Sequence, residues 1–300
     1  MFGVVVGEPL PVRRAAWALA RALRPKQWLK NLLVFAAPGA AGILAQGSTL
    51  ERSAVAFISL CAVASAGYLV NDTLDLESDR DHPVKRRRPI ASGDLSVRAA
   101  IAAAAALAVL GTIAAVTLGP RFALVVAVYL ATTVSYTLWL KRIEVVDVAV
   151  VASFFVLRAL AGAAATQVPL SPWFLILISS ASMFVVAGKR YGDLLTLEAE
   201  GRTPSGAVYT AAYLRYLWIL ASGFAMAAYS LWAFAQPHLH EGIAWSEISI
   251  VPFALAILRY ALVLDAGDGG APEEILLRDR PLEVFAVLWV LVYGAGVYLR

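Results

Sequence analysis

The 300-residue chain has a single cysteine, three histidines and three methionines, and only 15% of its residues are charged. One cysteine, Cys61, rules out an intramolecular disulfide and any metal centre built on cysteine, and its apolar surroundings give it a packing role. Three histidines are too few for a histidine centre, and only His238 and His240, in one hydrophilic loop, leave a loop zinc site open. Residues 1–10, MFGVVVGEPL, lack the basic start of a signal peptide, so the chain is expected to be integral from its first helix. Internal repeats, low-complexity linkers and a polar stretch long enough for a soluble domain are missing as well. What replaces them is apolar: 60% of residues, with a mean hydropathy of +0.73. A soluble protein has nowhere to put so much apolar surface, which excludes soluble α/β folds, zinc fingers and disordered scaffolds and points to an all-α polytopic membrane protein.

A membrane-crossing helix needs roughly 20 mostly apolar residues. Nine stretches qualify: 31–47, 54–71, 99–118, 122–140, 145–164, 171–188, 209–235, 247–264 and 282–299, the first short and broken by Pro38 and Gly39. Ahead of them, RRAAWALARALR (13–24) puts Arg13, Arg14, Arg21 and Arg24 on one helical face, as in a helix lying among headgroups with its arginines as surface anchors. Residues 1–30 therefore read as a cytosolic interfacial segment and 31–300 as one transmembrane domain. Outside the spans, lysine and arginine gather in 1–30, 72–98, 141–144, 189–208 and 265–281, leaving only Arg52, Arg121 and Arg300 on the opposite side. That bias sets the N-terminus and the long loops in the cytoplasm and the C-terminus outside. The charge, net +4 with a pI near 9.2, is thus concentrated on one face.

The second span ends GYLVNDTLDLESDRDHPVKRRRPIASGDLS (67–96). Asp72, Asp75 and Asp79, three and four apart, share one face of a continuing helix, with Asn71 a turn before Asp75. Clustered carboxylates repel one another unless they share a cation, and hard oxygen ligands beside phosphate-binding bases suit Mg²⁺. A solvated helix end would explain the acids alone, and membrane anchoring would explain Arg80, Lys85, Arg86, Arg87 and Arg88 alone. A metal–phosphate site explains both.

Asn71-Asp72-x-x-Asp75-x-x-x-Asp79 after an apolar helix resembles the first aspartate-rich motif of the UbiA-type intramembrane prenyltransferases. The flanks are narrower. Arg24-Pro25-Lys26-Gln27-Trp28-Leu29-Lys30-Asn31 and Asp81-His82-Pro83-x-Lys85-x-x-Arg88-Pro89-Ile90-Ala91-Ser92-Gly93 resemble the decaprenyl-phosphate phosphoribosyltransferase branch, and the likeness runs from residue 24 to the last span. It implies nine helices around a cytosol-facing cavity in the plasma membrane. It also implies transfer of 5-phosphoribosyl from phosphoribosyl diphosphate to a polyprenyl phosphate with release of diphosphate, in the supply of cell-wall arabinan. Mg²⁺ would be held by Asp72, Asp75 and Asp79. No nucleic-acid partner is expected, and self-association is left open.

The chain departs from the wider family after its sixth span. A second aspartate-rich motif is expected there, and GKRYGDLLTLEAEGR (188–202) supplies Lys189, Arg190, Tyr191 and one nearby acid, Asp193. Bases in place of acids point to direct phosphate binding. Phosphoribosyl diphosphate and a lipid phosphate together carry more anionic groups than a prenyl diphosphate does, and Lys26, Lys30, Lys85, Arg88, Lys189 and Arg190 answer them. Asn31, Asn71, Tyr191 and Arg158 complete the expected substrate contacts, with Asp72, Asp75 and Lys189 as catalytic residues. Arg158 lies deep in its span, and Asp147, about 16 Å away along a helix, is a poor partner for it, so it is expected to face a polar cavity. Arg215 and Arg259 are read as structural, snorkelling residues and the acidic loop 265–280 as a solvated hinge. The nearest alternative is a prenyl transfer from prenyl diphosphate to an aromatic acceptor. A transporter is disfavoured because the acids sit at one mouth and not at mid-membrane.

Overall fold

The computed structural model describes residues 12–201, 209–236, 244–267 and 272–298. Residues 1–10, the Arg13 side chain, His238, His240 and Arg300 lie outside that set. Its elements are α1 (Val12–Ala22), α2 (Ala36–Ala40), α3 (Gly47–Leu74), α4 (Leu76–Asp81), α5 (Val97–Leu118), α6 (Pro120–Leu138), α7 (Val146–Thr166), α8 (Pro172–Ala199), α9 (Ala211–Phe234), α10 (Trp245–Ile248), α11 (Ile250–Asp265), α12 (Pro272–Arg278) and α13 (Arg280–Tyr298). No strand occurs among the described residues. Eight helical stretches are long and apolar enough to cross a membrane: α3, α5, α6, α7, α8, α9, Trp245–Asp265 and α13.

The expected first span differs from the sequence reading. Its chain turns at Arg24, runs as a 3₁₀ helix over Pro25–Phe35, and becomes α-helical only for the five residues of α2. The 3₁₀ stretch lies antiparallel to α3. Arg24 bonds Asp72 at 2.6 Å, Trp28 Nε1 donates to Ser65 at 3.0 Å, and Asn31 Nδ2 donates to Cys61 Sγ at 3.1 Å.

Local chemistry fixes the other boundaries. Ser96, Ser171 and Thr210 cap α5, α8 and α9, each side chain accepting a backbone N–H three residues on. Gly119, with φ 115°, ends α5, and Pro120 opens α6 at once, giving a tight hairpin that a residue with a Cβ would strain.

The chain forms two compact units, one of residues up to Leu32 with Ala54–Thr137, the other of Leu33–Ser53 with the residues from Leu138 on. In the first, Ala18 and Ala22 of α1 pack with Ala66 and Leu69 of α3 and with Ala100 and Ala104 of α5. Small side chains there let backbones approach closely, as expected where lipid supplies no hydrophobic drive. In the second, α8 packs on α7 and α9, and α11 packs on α13. Its core centres on Phe184, Tyr191, Trp218, Tyr260 and Leu264. Gly162 of α7 passes so close to α2's entry that a Cβ would lie 1.8 Å from the Val34 carbonyl oxygen. α2 is also tied to α13, whose Tyr293 and Tyr298 hydroxyls donate to the carbonyls of Ala40 (3.0 Å) and Gly39 (3.1 Å). Exposed large apolar side chains, such as Val109, Leu110, Ile113 and Val116 of α5 and Val287, Val290 and Leu291 of α13, are the surface a bilayer would cover.

Candidate functional site

Chemistry-bearing side chains gather in two clusters, one in each unit. The first grows where α3 stops. The helix does not continue through all three aspartates: it breaks at Asp75 (φ −89°, ψ 10°) and restarts as α4. The break still brings Asp72 and Asp79 together, because Arg88 Nη1 bonds both, Asp72 Oδ1 at 3.0 Å and Asp79 Oδ2 at 2.6 Å. Both carboxylates are buried, and burial at this level requires a paired counter-charge. Arg24 supplies a second one through Nη2 to Asp72 Oδ1, 2.6 Å away, with its guanidinium 4.9 Å from the Tyr68 ring centroid. Arg24 sits at φ 54°, a left-handed conformation rare outside glycine, which aims its side chain at α3. It is therefore part of the acid cluster and not a surface anchor. Asp75 accepts from Asn71 Nδ2 at 2.9 Å. His82 Nδ1 accepts the backbone N–H groups of Val84 and Lys85, holding the loop that carries Arg88.

Lys26 and Lys85 are exposed and Lys30 is half-buried, whereas Asn31 is buried on Cys61 and faces packing, not solvent. Among the described residues no group of three or more His, Cys, Asp or Glu side chains could hold a metal ion. The donor set fits a hard divalent cation through fewer protein ligands: two buried carboxylates already converge on one positive nitrogen, and Mg²⁺ typically takes only one or two carboxylates alongside substrate phosphates and water.

The second cluster centres on Asp147, in the first turn of α7, where a carboxylate favours the helix dipole. Asp147 is buried and takes Arg190 Nη1 on Oδ2 at 2.6 Å. Its Oδ1 accepts the Tyr209 hydroxyl and the Val148 N–H. The Tyr209 oxygen in turn accepts the Val145 N–H at 2.6 Å, pinning a residue held at φ 65°. Burial, then the hydrogen bond to Asp147, push the Tyr209 phenol up to about 12. Lys189 pairs with Asp193 at 2.6 Å, one turn along α8, and is half-buried. Tyr191 points the other way, buried in the core with its hydroxyl accepting from Arg215 at 2.5 Å. Arg158 is buried as expected, but its Nη1 donates to the Phe154 carbonyl one turn back, at 2.7 Å, and its guanidinium lies 5.7 Å from the Phe155 ring centroid. The acidic loop also has more order than a solvated hinge. Asp265 bonds Arg215, α12 forms within the loop, and Asp279 takes a two-pronged fork from Arg259 at 3.0 and 2.7 Å.

Sequence reasoning missed Arg24, Asp147 and Tyr209 as cluster members. An acid inside the apolar run VVDVAVV (145–151) was the available signal for Asp147, since buried charge at membrane depth needs a partner. Tyr209 gave none.

Helices without strands among the described residues, eight of them of membrane length, and an acid–arginine cluster at the end of one define a polytopic α-helical membrane protein with a charged site. The UbiA prenyltransferase family model matches residues 32–276, and the chain belongs to that family. It is 44% identical over 296 residues to a decaprenyl-phosphate phosphoribosyltransferase of Corynebacterium glutamicum, covering 96% of this chain and 89% of that one. With the decaprenyl-phosphate phosphoribosyltransferase of Mycobacterium tuberculosis the identity is 43% and the coverage 98% of each. In fold it resembles a UbiA homologue from Archaeoglobus fulgidus bound to GPP and Mg²⁺, with a TM-score of 0.72 and 18% identity over 94% of this chain and 100% of that one. The chain is accordingly an integral membrane protein.

Proposed function

We propose that the chain transfers 5-phosphoribosyl from phosphoribosyl diphosphate to a long polyprenyl phosphate and releases diphosphate, in a Mg²⁺-dependent reaction on the cytoplasmic side of the plasma membrane. The observation that carries this is near-full-length similarity, above 40% identity, to two relatives of that name. The replacement of a second acidic motif by Lys189-Arg190 agrees with it.

Mg²⁺ would be held by Asp72 and Asp79, with Asp75 beside them, and would neutralise charge on the departing diphosphate. The protein's own groups do the rest. Arg24 and Arg88, now on carboxylates, can turn planar forks to phosphate oxygens, and Lys189 and Arg190 offer further donors. The ribose C1–O bond breaks through an oxocarbenium-like state, and a lipid-phosphate oxygen attacks the opposite face. That oxygen is already anionic, so no general base is needed, and positioning and charge stabilisation dominate. The polyprenyl tail can stay among apolar helices.

The lysine–arginine bias supports a cytoplasmic N-terminus and an external C-terminus. That topology needs a ninth crossing.

The test is a paired assay on detergent-purified protein with and without Mg²⁺. One arm holds labelled phosphoribosyl diphosphate and polyprenyl phosphate, the other labelled prenyl diphosphate and 4-hydroxybenzoate. Label entering lipid only in the first arm, and only with Mg²⁺, is the expected result. Prenylated aromatic in the second arm would keep the family and overturn the substrate.

A further inference from the structure

Four arginines, Arg21, Arg24, Arg87 and Arg88, line an open cavity of about 330 Å³ in the first unit, and among the described residues Asp72 is the only acid in its wall. Two of the four are committed in part to Asp72, and Arg88 also to Asp79. Arg21 gives one bond, from Nη2 to the Arg87 carbonyl at 3.1 Å, stands 4.0 Å from Asp94, and is steadied 4.9 Å from the Trp17 ring centroid. Arg87 and Arg21 are exposed at the rim. Each guanidinium has five N–H donors, so the wall presents many more donors than its single carboxylate can accept. Like charges crowded around a concavity repel one another until an anion enters.

From this geometry we propose that the cavity binds a phosphomonoester directly through arginine forks, without metal, next to the carboxylates of α3 and α4. The proposal rests on the phosphoribosyl-transfer reading and deepens it. That reaction involves a diphosphate, which leaves, and two phosphomonoesters, the 5-phosphate of the sugar donor and the head of the lipid acceptor. A group that does not leave needs orientation more than activation, and a planar fork on a dianionic phosphate supplies it. Asp72 in the shared wall sets this anion beside the carboxylates to which the diphosphate is assigned. A surface-anchor role for these arginines would not require a cavity.

The experiment measures Mg²⁺-free binding of ribose 5-phosphate, a short polyprenyl phosphate and inorganic pyrophosphate to the detergent-purified full chain. Wild type is compared with Arg21→Gln, Arg87→Gln and Arg87→Lys. At least one phosphomonoester should bind and weaken about tenfold in each glutamine variant, the size expected for one charge-assisted bond. Lysine should restore part of the loss at position 87, and it keeps the charge if glutamine compromises folding. Pyrophosphate should change much less. Which phosphomonoester responds tells donor from lipid. Unchanged affinity for both, or an equal loss for pyrophosphate, overturns the pocket. Phosphomonoester binding that depends on Arg87 in a protein without phosphoribosyl transfer would instead overturn the reaction and keep the pocket.

Discussion

Asp72 has two arginines on one oxygen, an arrangement that stores positive charge beside a buried carboxylate until a substrate phosphate competes for it. Asp72→Asn and Asp75→Asn keep side-chain size and remove charge, so both should abolish transfer. The half-buried Asp75→Asn should leave the detergent unfolding midpoint within a few degrees of wild type, whereas Asp72→Asn should lower it by leaving Arg24 and Arg88 without their shared buried partner. Turnover retained in both variants would remove the metal assignment. Tyr209 makes a different prediction. Its phenol is pushed up to about 12 by burial and by its bond to Asp147, so the latch it forms is fully present below the ordinary tyrosine value of about 10 and is lost as pH rises through 12. An absorbance titration of wild type minus Tyr209→Phe should show one phenol ionising near pH 12, and an ionisation near 10 would deny the latch. Asp72 and Asp79 were legible as neighbours because one stretch of eight residues holds both. Tyr209 and Asp147, 62 residues apart, became neighbours only through packing.

At the scale of elements, the apolar spans from α3 to α13 followed from hydropathy, while the 3₁₀ stretch did not, because composition does not distinguish a three-residue turn from a 3.6-residue one. Its period of three puts Trp28, Asn31 and Val34 in one column, which an α-helix would spread by about 60° per step. Val34 then meets α7, where only hydrogen fits at Gly162. Gly162→Ala should cost at least about 1–3 kcal/mol of overpacking, read as a lower unfolding midpoint in detergent. A stability equal to wild type would show that the backbones are free to separate. In the same unit, Asp279 caps α13 through the Leu282 N–H and is held below the usual carboxylate range chiefly by the Arg259 fork. A depressed carboxylate contributes stability above its unfolded value of about 4 and loses it as pH falls through the folded value. The gap in unfolding midpoint between wild type and Asp279→Asn should therefore be present at neutral pH and close in acid. A gap independent of pH would assign the effect to packing.

For the whole molecule, charge distribution makes the checkable statement. Cys61 is buried, so a maleimide reports only on introduced cysteines. Lys85→Cys should label from the cytoplasmic side of oriented membranes and Arg121→Cys from the outside, and the reverse pattern would invert the topology. Fold class was readable from hydropathy, and lysine and arginine placement carries the expected sidedness that this labelling tests. The partners of single polar groups were not readable, because they come from elements distant in sequence. Tyr293 and Tyr298 are the extreme case, reaching back 253 and 259 residues to the carbonyls of α2. A ribosome adding about 5–20 residues per second leaves those carbonyls waiting on the order of 10–50 seconds for their donors. During that interval the early helices must be sheltered by lipid or by the insertion machinery, so the final packing of the second unit is timed by the last helix to be made.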